Sequence, residues 1–242
     1  MSHPHSEPDA TDPSDLDALV RRVDPDRWLS SRFIADPQAR ADVIAIYAYD
    51  HELARAPRVA TNPLMGEIRL AWWREVLDEV FEGRHVRHHP TAQALAEVVR
   101  RRGLPREPLE AMIDGRYRQL DPEPLNAEDA SALAVSTAGR ANLLANIIIQ
   151  AREPEYAPHL WSDIWMLSRL VLDGRIAEQA LPSVQAEIRV SLIEARKFES
   201  VEMELFPAVA HATLASLYAQ GKRPGELEKR LRLVWAVARG EI

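Results

Sequence analysis

The sequence contains no cysteine, which excludes disulfide bonds, thiolate metal sites and cysteine nucleophiles. It lacks an apolar run near the roughly 20 residues that a membrane-spanning helix requires. It also lacks a P-loop, a nucleotide-binding glycine motif and the nucleophile elbow of hydrolases. Strand-like alternation of apolar and polar residues is absent as well, so the pattern favours an all-α fold.

Basic residues are outnumbered, since 30 Lys and Arg stand against 37 Asp and Glu and give a net charge of −7. A nucleic-acid surface needs a basic excess, so we expect no nucleic-acid partner. The N-terminus is polar and acidic and has no apolar signal core. These features predict a cytoplasmic protein. Residues 1–13 read as a disordered tail, and residues 14–242 as a single helical domain.

The stretch Asn62–Gly83 has the strongest helix pattern in the chain. Asn62 is suited to cap the helix and Pro63 to occupy its first turn, while Gly83 is a typical C-terminal stop. Apolar residues recur every fourth position and predict one buried stripe. The stripe consists of Leu64, Ile68, Trp72, Val76 and Val80. Arg74 and Asp78 are spaced as an i,i+4 ion pair on its polar surface.

The remaining chain predicts nine or ten helices in total, separated by proline and glycine. The helix before the central one should end at Pro57, and its short link predicts that the two helices are neighbours. Gly103 and Gly174 mark further stops. The loop around His85, His88 and His89 suggests a metal site, but it has no carboxylate beside it, and a polar loop is the favoured interpretation.

Four segments carry a resemblance to a known family. The central segment, LMGEIRLAWWREVLDEVFEG, resembles the segment that follows the first motif of the squalene/phytoene synthase family. Three other stretches resemble helices of that family in the same order, namely IAIYAYDHELARA, GLPREPLEAMIDGRYRQLD and STAGRANLLANI. The C-terminal third matches only in helix order and composition. The chain more closely resembles a diverged branch that includes bacterial phytoene-synthase-like proteins and the mitochondrial complex I assembly factor of this type. The resemblance covers about residues 25–240 and implies an isoprenoid-synthase-like helical bundle around a central cavity.

Active members of that family join two prenyl diphosphates, with Mg²⁺ bridging the diphosphates to two aspartate-rich motifs. Mg²⁺ prefers hard oxygen ligands, and it neutralises the departing diphosphate. The first motif corresponds here to Ala54–Arg58, which contains no carboxylate. The second corresponds to a segment in which Leu170 and Gly174 occupy the acidic positions, and Asp173 is a lone carboxylate. We therefore expect no cofactor, and Mg²⁺ only if other acids replace the missing ones.

Several residues are candidates for a remaining ligand site, each with a structural alternative. Arginines at the mouth of the cavity would attract a diphosphate or an acidic head group, or else are solvated surface residues. Tryptophans on the central helix line a prenyl pocket or belong to the core. Polar residues of the middle helix face the cavity or form an ordinary polar face. These candidates are Glu52, Arg55, Arg58, Arg69, Trp72, Trp73, Asp114, Arg116, Tyr117 and Asp173.

Three functions remain open from the sequence. The first is a non-catalytic relative that acts through a protein partner, which the resemblance links to complex I assembly, with at most peripheral contact with the inner membrane. The second is an active prenyl transferase with relocated acidic ligands at Asp50, Glu52 and Asp173. The third is an isoprenoid- or lipid-binding module whose pocket is lined by Trp72, Trp73 and the run from Leu143 to Ile149.

Overall fold

The computed structural model describes residues 13–59, 62–150, 159–197 and 201–242. The predicted tail lies outside these ranges, except for Pro13, which begins the first helix. Described residues form helices and connecting loops, with one isolated bridge between Leu125 and Ile176. The all-α prediction is therefore confirmed over the described part of the chain.

The helices follow one another with short connections. Their bounds are α1 Pro13–Val23, α2 Pro25–Ser31, α3 Pro37–Val59, α4 Pro63–Phe81, α5 Pro90–Arg102, α6 Arg106–Tyr117, α7 Ala127–Ala134, α8 Arg140–Gln150, α9 His159–Leu172, α10 Leu181–Ala195, α11 Phe206–Val209, α12 Ala215–Ala219 and α13 Glu226–Arg239. A π-helical turn, Val135–Gly139, joins α7 to α8. The described segments outnumber the nine or ten expected helices because the chain near α11 and α12 is broken into short turns.

Two apolar clusters make up most of the core. Helix α3 lies in the first cluster and contacts α1, α2, α4, α5, α6 and α8. Helix α9 lies in the second and contacts α7, α8, α10 and α12 as well as the π-helical turn. The C-terminal ends of α3 and α9 are the two places where the resemblance positions the metal-binding motifs.

The signals that bound α4 are confirmed. The Asn62 side chain accepts a hydrogen bond from the Met65 amide at 2.9 Å, and Gly83 follows the helix with a φ of +69°. The predicted buried stripe is wrong in its first half, because Leu64 and Ile68 are 63% and 52% exposed. The buried face instead follows Gly66, Leu70, Trp73, Val76 and Leu77, since the start of α4 extends beyond the core.

Two further local predictions are corrected by long-range contacts. Pro57 does not end α3, which continues to Val59. It lies in the last turn, where one missing amide disturbs the helix little. Arg74 pairs with Asp114 of α6 rather than with Asp78, and Asp78 pairs with Arg106 at 2.5 Å. Neighbouring helices thus supply the partners that the i,i+4 spacing suggested within α4.

The continuous stretch Ala127–Gln150 is long and apolar enough to cross a membrane by length and composition. This finding corrects the expectation that no apolar run approaches the length of a membrane-spanning helix. Of its most apolar window, 67% is buried inside the protein. Such burial is typical of a core helix.

Candidate functional site

Asp50 is the centre of a buried ion-pair network at the junction of α2, α3 and α6. Its two carboxylate oxygens accept hydrogen bonds from Arg27 at 2.6 Å and from Arg116 at 2.5 Å. Asp24 also pairs with Arg27, and all four residues are buried. Burial alone would raise the pKa of Asp50, but attraction to Arg116 and Arg27 outweighs it and lowers the pKa to about 2. Asp50 is therefore ionised, and both of its carboxylate oxygens are paired with arginines.

The arginines of this network extend toward the second core cluster. The Arg27 guanidinium lies 4.6 Å from the ring centre of Tyr47 and 5.2 Å from that of Trp165. His211 is buried against the edge of Trp165, with ring centres 4.8 Å apart. Burial and the nearby Arg27 lower the pKa of His211 to about 3, so the imidazole is neutral. Positive charge here is thus confined to the arginines.

Arg58, in the last turn of α3, is close enough to three other arginines to feel their charge, and we call the four the arginine mouth: Arg58, Arg116, Arg169 and Arg175. Desolvation lowers the pKa of the Arg58 guanidinium, and the positive charges of Arg116, Arg175 and Arg169 add to that effect, while Asp173 opposes it. Arg116 and Arg169 are already paired with Asp50 and Asp26. Among the residues whose side chains are described, no carboxylate lies within ion-pair distance of Arg58 or Arg175, and both are exposed.

Asp173 lies near this mouth but is paired elsewhere. Its carboxylate accepts a hydrogen bond from Arg223 at 2.9 Å, and its side chain is 38% exposed. Within the described ranges, no three His, Asp or Glu side chains converge as a metal site, and Asp50, Glu52 and Asp173 do not form one. The donor set therefore does not fit Mg²⁺, which requires oxygen ligands free of competing cations.

The other arginine candidates lie on the surface of α3 and α4. Arg55 is exposed and pairs loosely with Glu52 at 3.4 Å. Arg69 is also exposed and has no carboxylate partner among the described side chains. Neither residue is among the main charges that shift the pKa of Arg58. The arginine of this set that the structure brings to the mouth is Arg58.

The tryptophan candidates pack against one another. Trp73 is buried, and its ring centre lies 5.2 Å from that of Tyr49 and 4.9 Å from that of Trp72. Trp72 is half-buried, with Arg87 stacked on it at 5.0 Å and His89 at its edge. These contacts place both tryptophans in the first core cluster or against it.

The three polar candidates on α6 are separated in the structure. Arg116 points inward to Asp50, whereas Asp114 is exposed and pairs with Arg74 of α4. Tyr117 is half-buried beneath the same Arg74, whose guanidinium lies 5.6 Å from its ring centre. Asp114 and Tyr117 therefore join α4 to α6, and Arg116 alone belongs to the arginine mouth.

Three arginines of the site, Arg27, Arg169 and Arg175, were not among the residues predicted from the sequence. Arg175 carried a signal, because it directly follows Gly174, which occupies an acidic position of the second motif. Arg27 carried none, since its partner Asp50 lies 23 residues away. The network was visible only after the helices were placed.

Asp163 on α9 is a buried carboxyl outside this network. Its Oδ1 atom has no hydrogen-bond partner, and a Cβ atom built on Gly139 of the π-helical turn would lie 2.5 Å from it. Burial raises the pKa of Asp163 to about 7, although Arg140 partly opposes the shift. The close approach of α9 to the π-helical turn therefore confines this acid in an apolar setting.

We expect Asp163→Asn to stabilise the protein at high pH. A folded-state pKa above the unfolded value of about 3.9 means that the ionised carboxylate destabilises the fold. The penalty is absent below about pH 4, grows toward pH 7 and is complete above it. Urea unfolding should give the variant roughly 1–3 kcal/mol more stability near pH 8 and little near pH 4. An equal difference at both pH values would contradict this assignment.

The sequence profile of the squalene/phytoene synthase family matches residues 20–161, which is more than half of the chain. The chain belongs to the squalene/phytoene synthase family. The match begins in α1 and includes the segment corresponding to the first aspartate-rich motif of that family.

Solved members of the family share the fold. A dehydrosqualene synthase matches 94% of this chain and 95% of its own with a TM-score of 0.70 at 14% identity. A squalene synthase from Alicyclobacillus acidocaldarius matches 94% of each chain with a TM-score of 0.63 at 16% identity. At these identities the likeness shows the isoprenoid-synthase-type helical fold alone.

Curated proteins with similar sequences are named as complex I assembly factors and not as synthases. NADH dehydrogenase (ubiquinone) complex I assembly factor 6 from Bos taurus is 28% identical over 103 residues, which are 43% of this chain and 30% of that protein. The Homo sapiens protein is 26% identical over 103 residues, and a Dictyostelium discoideum homologue is 25% identical over 85 residues. The aligned segment spans less than a third of the length of these relatives.

Proposed function

We propose that this family member is non-catalytic and acts by binding, through a protein partner and through an anionic isoprenoid or lipid ligand at the arginine mouth. It needs no metal cofactor for this role. The observation that carries the proposal is the charge at and beside the two motifs. Arg58 stands in the first motif and Arg175 directly follows the second, while the nearby carboxylates Asp50 and Asp173 are paired with arginines.

The chemistry of prenyl transfer supports this proposal. A diphosphate departs only when its negative charge is neutralised, and family members do this with Mg²⁺ held by carboxylates. A guanidinium repels Mg²⁺ but binds phosphate oxygens directly, often through two parallel hydrogen bonds. The arginine mouth is therefore suited to hold a diphosphate or an acidic head group without metal.

A product assay tests the absence of catalysis. Purified protein is incubated with farnesyl or geranylgeranyl diphosphate and Mg²⁺, with reductant present, and extracts are analysed for squalene, dehydrosqualene and phytoene. An active dehydrosqualene synthase serves as the positive control, and heat-treated protein as the blank. We expect no product above the blank. Product formation by this chain would overturn the proposal and favour a prenyl transferase with relocated ligands.

We further propose that the protein partner belongs to respiratory complex I assembly, at the surface of the inner membrane. The names of the bovine, human and Dictyostelium relatives support this step. Deleting the gene in its source cell should lower the amount of assembled complex I on native gels while complex II is unchanged. Complementation with an Arg58→Glu/Arg175→Glu variant tests whether the arginine mouth takes part. Normal complex I in the deletion strain would contradict the assignment.

A further inference from the structure

A second basic surface lies away from the arginine mouth, between α1 and the first turns of α3, with Arg32 at its border. It is an open groove of about 660 Å³, lined by Arg21, Arg22, Arg32, Arg40, Asp17 and Ile44, among others. Four guanidiniums and one carboxylate give the lining a formal charge of +3, in a chain whose net charge is −7. The groove is thus a local reversal of the protein's overall charge.

Neighbouring groups hold several of these guanidiniums in place. The Arg32 head donates to Asp17 at 2.6 Å and stacks on Trp28 at 4.6 Å. Arg21 also stacks on Trp28, at 5.1 Å. Arg40 donates to the Ile34 carbonyl at 2.9 Å and 3.2 Å. Fixed guanidiniums lose less conformational freedom when they bind an anion, which favours recognition.

The positive charge of the groove is largely uncompensated. Asp17 already accepts from Arg32 and from the Trp28 indole, the latter at 3.0 Å. Among the side chains that the structure describes, no carboxylate lies within ion-pair distance of Arg21, Arg22 or Arg40. The last turn of α1 therefore presents Arg21 and Arg22 to an incoming anion.

We propose that this groove binds an acidic segment of a partner protein. Paired guanidiniums match carboxylates in geometry and charge, and the volume suits several side chains of one peptide. The concave shape favours a peptide over a membrane, because a flat lipid surface contacts protruding residues rather than a recess. The choice of a protein as the occupant rests on the proposed binding function. The positive charge of the groove is independent of that proposal.

A fluorescein-labelled oligo-glutamate peptide is the probe, and anisotropy at low salt is the measurement. The wild-type protein should bind it with an affinity that falls as salt rises. Arg21→Glu/Arg22→Glu should weaken binding by about tenfold or more. The matched control Arg189→Glu/Arg230→Glu reverses two exposed charges on α10 and α13 and should change affinity by less than about twofold. Circular dichroism checks that both variants are folded.

Three outcomes would overturn the proposal. The first is that the wild-type protein does not bind the peptide, and the second is that both double variants weaken binding equally. The third is that the peptide does not bind, whereas vesicles of phosphatidylglycerol and phosphatidylcholine bind in a way that depends on Arg21 and Arg22. The last would assign the groove to a membrane surface. The product assay does not depend on the charge or the shape of this groove. Its result can therefore contradict the proposed function without deciding whether the groove binds a peptide, and the peptide assay can fail independently.

Discussion

Replacing Asp50 with asparagine should destabilise the protein by about 3–5 kcal/mol. The substitution keeps the size of the side chain but leaves Arg27 and Arg116 as buried cations without a counter-charge. Their side chains are 8% and 2% exposed, so water cannot solvate them in place of the carboxylate. Urea unfolding followed by circular dichroism near pH 7 measures the loss.

The pH dependence gives this prediction a second test. The folded-state pKa of Asp50 is lowered to about 2, below the unfolded value of about 3.9. The ion pair therefore contributes fully above about pH 4, and its contribution is lost as the pH falls toward 2. The difference between wild type and Asp50→Asn should shrink over that interval. Asp173→Asn is the control and should cost less than about 1 kcal/mol, since its pair with Arg223 is exposed.

The result also separates a structural acid from a metal ligand. A carboxylate kept for a metal stands among other acids in the free protein, so its neutralisation leaves stability unchanged or raises it. A stable Asp50→Asn variant would therefore contradict the network and revive the relocated-ligand alternative. A strong loss of stability is what the two short arginine contacts predict.

Replacing Asp26 with asparagine should cost about 2–4 kcal/mol and should loosen the C-terminal helices. Asp26 is fully buried and accepts hydrogen bonds from Tyr218 at 2.7 Å and Lys229 at 2.9 Å. Arg169 and Trp165 donate to it from 3.2 Å and 3.4 Å. The cost is smaller than for Asp50 because Arg169 and Lys229 are 28% and 13% exposed and regain some water.

Amide hydrogen exchange measures which helices lose stability in the Asp26→Asn variant. Lys229 is the residue of α13 that reaches Asp26, so amides of α13 should exchange faster in Asp26→Asn while those of α3 and α4 change little. Glu226→Gln removes the weaker, exposed partner of Lys229, at 3.9 Å, and serves as the control. Uniform acceleration across the chain would instead mean global destabilisation and would count against a local tether.

Local chemistry made the helices predictable. The cap at Asn62, the glycine after α4 and the apolar spacing each act within a few residues, and the structure confirms the cap, the stop and the helix between them. The buried face of α4 was harder to predict, because apolar spacing does not say how far a helix extends past its neighbours. Leu64 and Ile68 follow the pattern and yet lie outside the core.

The candidate site was predictable only in part. The missing acids and Arg58 could be read from the sequence once the resemblance supplied their positions. The pairing of Asp50 with Arg116 could not, since 66 residues separate them and many arginines compete for each acid. Long-range ion pairs depend on helix packing, which periodicity does not specify.

The dependence of prenyl diphosphate binding on Mg²⁺ tests the central claim most directly. Isothermal titration of the purified protein with farnesyl thiodiphosphate, which resists ionisation, is performed with Mg²⁺ and again with EDTA. Because the motif acids are missing, arginines stand at or beside both motifs and the remaining acids are paired, we expect Mg²⁺ to leave the affinity unchanged or to lower it. Binding that Mg²⁺ strengthens about tenfold or more, reversed by EDTA, would contradict it.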